Sequence, residues 1–178
     1  MNVRSRTRTA GLHPFTSSRP DLLAIYLNDH LTGATAGLER ARHLQRTAEG
    51  SELGTALGPV VAEIAEDRES LLEIMRDLGV PVRRYRAGVG WAAEKAGRLK
   101  GNGRLLRRSP LSSVLELEAL RLGVEGKAAG WQTLRRLAAG DPRLDARRLD
   151  DLLERARRQR DVIEEWRIRR AGQVLRQE

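Results

Sequence analysis

The sequence predicts an all-α fold: an antiparallel four-helix bundle of two helical hairpins joined by a long crossover that contains a short helix. Three observations carry this. Four segments repeat apolar residues at alternating steps of three and four. The first two and the last two are separated by short links, whereas a 28-residue basic stretch, Pro81 to Arg108, interrupts the middle. Stop and start signals stand at the segment ends: Gly79-Val80-Pro81, Ser109-Pro110 and Gly140-Asp141-Pro142. A chain of 178 residues buries roughly 70% of its unfolded surface, enough for one domain over residues 20–176 behind a basic arm, residues 1–19.

The arm places Arg4, Arg6 and Arg8 among Ser, Thr, Gly and Pro with no apolar period, which reads as flexible. Pro20 and Asp21 then open a helix to about residue 48. Its seam is Leu23, Leu27, Ala34, Ala41 and Leu44, with Leu31 and Leu38 beside it, and Gly33 and Gly37 leave room for a close neighbour. The second helix, about 55–78, repeats Leu57, Ile64, Leu71 and Leu78 every seventh residue, with Val60 and Ile74 between. A crossover helix at about 82–100 carries Val82, Tyr85, Val89, Ala92, Ala96 and Leu99.

Ser109 and Pro110 cap and open the next helix, about 110–138, through Leu111, Leu115, Leu122 and Ala129. A second apolar stripe on it, Val114, Leu117, Val124, Ala128 and Trp131, offers a surface for a homodimer. The last helix, about 142–175, uses Leu149, Leu152, Ala156, Ile163 and Trp166, with aspartates early and arginines late to match its dipole. Helices of this length extend about 35 to 50 Å. The crossover is long enough to return along the whole bundle, so the third long helix starts at the end opposite to where the second finishes.

Charge is unevenly spread. The net +9 resolves into +4 over residues 1–20, −6 over 21–80 and +8 over 81–108, with little elsewhere. Absence of cysteine excludes disulfides, thiolate metal sites and cysteine nucleophiles. No apolar run approaches the roughly 20 residues that span a bilayer, and the N-terminus does not resemble a signal peptide, so a cytoplasmic protein is expected. Thirty Arg against three Lys, with abundant Ala, Gly and Leu, point to a GC-rich bacterial genome.

Two hairpins tied by one crossover resemble the ferritin-like superfamily. That resemblance implies a dinuclear iron or manganese centre held by a Glu from each of two helices and a Glu-x-x-His from each of the other two. No Glu-x-x-His occurs here; the histidines are His13, His30 and His43. What remains is a set of polar residues at or beside seam positions: His30, Asp67, Glu118, Glu125 and Gln159. Buried charges need a partner or a cation.

Three readings follow. In the preferred one the layer is a hydrogen-bonded network in a metal-free bundle, with His30 donating to Asp67 or Glu118 and Gln159 satisfying the rest. In the second, His30, Asp67, Glu118 and Glu125 form a mixed oxygen and nitrogen site suited to iron or manganese. In the third, one helix is rotated from its assumed seam, and Glu63, Glu66, Glu69 or Glu116 turns inward.

Another class of function lies in the basic crossover. Arg83, Arg84, Arg86, Arg104, Arg107 and Arg108, with the arm, offer partners for nucleic-acid phosphates; some ferritin-like DNA protectors use a basic tail in this way. No helix-turn-helix signature, phosphate-binding glycine loop or serine, histidine and acid set is present, and enzyme chemistry has no positive support. The sequence therefore points to a ferritin-like bundle acting as a binding or structural module without a catalytic group. A carboxylate-bridged di-metal protein and a nonspecific nucleic-acid binder are the alternatives.

Overall fold

The computed structural model describes residues 19–83 and 111–176. The described residues form four helices: α1 (Arg19–Thr47), α2 (Glu52–Asp77), α3 (Leu111–Leu137) and α4 (Ala146–Leu175). No strand occurs among the described residues. Each helix packs on two others, α1 on α2 and α3, and α4 on α2 and α3, so the four form a square with α2 diagonal to α3.

Cross-helix pairs fix the directions. The Tyr26 hydroxyl donates to Thr133 Oγ1 at 3.1 Å, and His43 Nε2 lies 4.0 Å from Glu116 Oε1, so α1 and α3 are antiparallel. Glu73 pairs with Arg148 and Glu66 with Arg155, so α2 and α4 are antiparallel too. Consequently α2 and α3 run the same way, and the chain leaves one end of the bundle after α2 and re-enters at the other with α3. The departure is anchored: Asn28, near the start of α1, donates from Nδ2 to the Pro81 carbonyl at 3.1 Å and accepts the Arg83 N–H at 2.7 Å. At the far end Ser112 and Ser113 share a depression with Thr47, Ala48 and Ser51. Of the expected crossover helix, Val82 and Arg83 are not helical and Val82 is exposed; the rest lies outside the described residues.

Local chemistry explains the helix ends. Ser51 caps α2, its Oγ accepting the Gly54 N–H at 3.3 Å, so this helix starts at Glu52, earlier than its apolar repeat suggests. At Gly54 a Cβ would stand 2.3 Å from the Ala48 carbonyl oxygen; only glycine lets the link pass that close. Helix α2 continues through Pro59 and stops in a Schellman motif, with Val80 N–H on Met75 O at 2.8 Å and Gly79 N–H on Arg76 O at 3.0 Å. Gly79 has φ 70° there, the left-handed conformation that glycine adopts at low cost.

Asp141 does not begin α4. Its carboxylate holds the Arg143 guanidinium at 2.9 and 2.6 Å, and Arg143 Nη1 donates to the Leu78 carbonyl at 3.1 Å, tying the two hairpins together. The cap of α4 is Asp145, accepting from the Arg147 and Arg148 N–H groups at 2.9 and 3.3 Å.

The core follows the expected seam in α2 (Leu57, Val60, Ile64, Leu71, Ile74) and in α4 (Leu149, Leu152, Ala156, Ile163). In α1 it is Leu27, Leu31, Leu38, Ala41 and Leu44, with Leu23 and Ala34 half-buried. Each fully buried leucine or isoleucine contributes about 1.5–3 kcal/mol from the surface it removes from water.

Helix α3 corrects the expectation. Val114, Leu117, Leu120, Val124, Trp131 and Leu134 are buried, whereas Leu111, Leu115 and Leu122 are exposed. The stripe assigned to a dimer is the core, and the assumed seam faces outward. The close approach expected at Gly33 and Gly37 is also absent, since a Cβ at either would meet nothing within 4 Å. The tight contact between α1 and α3 is at Gly130, where a Cβ would stand 3.0 Å from the His30 ring.

Candidate functional site: an ion-paired layer at the bundle centre

Three buried residues of the described set carry polar side chains: Asn28, Asp67 and Gln159. Asp67 takes the α2 seam position between Val60 and Ile74, and Gln159 takes that of α4 between Ala156 and Ile163. Each is about 1% exposed. They meet because α2 and α4 are antiparallel neighbours: Gln159 Nε2 donates to Asp67 Oδ2 at 3.1 Å and to Glu63 Oε2 at 2.9 Å.

The third member comes from α3. Lys127 Nζ donates both to Asp67 Oδ2 and to Gln159 Oε1, with 14% of its side chain exposed. Arg155, one turn before Gln159 on α4, brings Nε to 2.8 Å from Asp67 Oδ1, an ion pair without an aligned hydrogen bond. Its Nη1 donates to the exposed Glu66 at 2.6 Å. Two carboxylates, Asp67 and Glu63, are thus balanced by an ammonium and a guanidinium, with the Gln159 amide between them. Burial pushes the Lys127 ammonium below its ordinary value, and the Asp67 charge and hydrogen bond oppose that shift. Chemically, the layer compensates charge internally and links α2, α3 and α4 at one level.

The structure separates the expected ligands. His30 is half-buried beside Gly130 with its ring edge-on to Tyr26, centroids 4.4 Å apart. Burial lowers its pKa, opposed by Asp29. Its neighbours are therefore Tyr26 and Gly130, where Asp67 or Glu118 was expected. Glu118 is 45% exposed, 3.6 Å from Arg167. Glu125 is 43% exposed, 3.9 Å from both Arg121 and Arg160. Glu118 and Glu125 lie on the flank of α3 toward α4, because α3 is rotated from the seam assumed for it. Among the described residues no group of three or more histidine and acidic side chains could hold a metal ion. Asp67 and Gln159 do share a layer, as expected, and Glu63 is the second acid that reaches it.

Lys127 and Arg155 were missed. The signal for Lys127 was the α3 stripe of Val114, Leu117, Val124 and Trp131: with that stripe inward, Lys127 turns toward the centre, where a seam aspartate demands a cation. Of the basic residues considered for nucleic acid, Arg83 is placed by its backbone bond to Asn28. Arg84, Arg86, Arg104, Arg107 and Arg108 lie outside the described residues, as do residues 1–18. Trp131 is buried in the core, and Trp166 is half-buried with the Arg169 guanidinium 5.0 Å from its ring centre. Among the described residues no helix is long and apolar enough to cross a membrane.

Comparison with protein-family models, with curated proteins and with solved structures returns no match.

Proposed function

We propose that the chain is a ferritin-like helical bundle acting as a non-catalytic binding or structural module, with Lys127 supplying the positive charge at its centre. The observation that carries this reading is the Lys127 ammonium set between Asp67 and Gln159, with Arg155 on the other oxygen of Asp67. A carboxylate in a helical core needs a cation, and two side chains of the chain itself provide it. A divalent ion added at the same place would face both; at about 4 Å and an effective dielectric of about 20, each pair of unit like charges costs about 4 kcal/mol. The donor set as folded does not fit a dinuclear centre. The network instead supports a role in fixing the register of three helices, which suits a scaffold.

Elemental analysis of the full chain, purified without a tag, tests the reading. Far less than one equivalent of iron or manganese is expected. About two equivalents, lost on Asp67→Ala, would favour the carboxylate-bridged metal protein instead. A second reading, nonspecific nucleic-acid binding, draws on the +8 charge over residues 81–108 and the +4 over residues 1–20. It predicts a duplex-DNA shift that weakens steeply with salt and is lost on removing residues 1–18.

A further inference from the structure

We draw no further inference here: the strongest candidate, the groove between α1 and α2 lined by Glu39, Glu66, Glu69 and Glu73, is an acidic cluster already offset by Arg155, Arg68 and Arg148, and nothing else among the described residues points to a ligand for it.

Discussion

Asn28 and Asp67 are both buried polar residues on core-facing positions, yet they are satisfied in opposite ways. The Asn28 amide uses backbone alone: its Nδ2 donates to Ala24 O at 2.8 Å and Pro81 O at 3.1 Å, and its Oδ1 accepts from Arg83 N–H at 2.7 Å. All of this lies at the end of the bundle where the chain departs from α2. Asp67 carries a charge, and backbone bonds do not balance it; it draws Lys127 from α3 and Arg155 and Gln159 from α4. A neutral group fixes one local strand of chain to one helix. A charged one forces three helices into register, since losing any partner leaves charge uncompensated in a poorly solvated place.

The largest effect should come from breaking the charged centre. Asp67→Ala leaves Lys127 and Arg155 without their shared carboxylate and is expected to cost about 3–5 kcal/mol in urea unfolding. Pairing Asp67→Leu with Lys127→Met should recover most of that loss, because removing both charges removes the need for either. A double variant as unstable as Asp67→Ala would show that the layer is held by something other than charge balance.

Asn28→Ala comes next, at about 1–3 kcal/mol for the unsatisfied backbone groups it exposes or strands. Its cost should not vary between neutral and alkaline pH, since no titrating group is lost.

Lys127→Met sharpens the contrast through pH. Burial holds the folded pKa of Lys127 below its ordinary 10.5. Folding therefore bears the cost of the buried ammonium below the folded pKa, and is relieved of it as pH rises toward 10.5. The stability of the wild type relative to Lys127→Met should increase over that alkaline window, measured by paired melts; a flat difference would contradict the burial argument.

The smallest effect belongs to an exposed pair. Asp141 is held at about 2 by Arg143. Its contribution is complete above the ordinary carboxylate value of 3.8 and is lost as pH falls through about 2. Asp141→Asn should therefore differ from wild type by a small amount at neutral pH, and the difference should shrink as pH falls from 3.8 toward and below about 2.

Much of the bundle was legible because α2 has only one apolar face. Leu57, Ile64 and Leu71 recur without a competitor, so the rotation of the helix follows from the sequence, and with it the inward position of Asp67. Helix α3 has two apolar faces of similar length, and periodicity alone cannot rank them. Taking Leu111, Leu115 and Leu122 inward turned Glu118 and Glu125 toward the centre and Lys127 away from it, and this one rotation misplaced half of the candidate site. The glycines misled for a related reason. Gly33 and Gly37 have the spacing of a close contact, but a contact needs an opposing helix at that level, and the opposing approach occurs at Gly130.

By itself the sequence determined that four amphipathic helices pair as two hairpins, where α2 stops, and that a carboxylate sits in its seam, because these depend on apolar period and on Gly and Pro backbone preferences within a short stretch. Only the tertiary structure decided which face of α3 is buried, that Lys127 and Arg155 answer Asp67, and that Asn28 holds the chain leaving α2. Those outcomes depend on which surfaces four helices present to one another, and burial and charge balance are settled between segments distant in the chain.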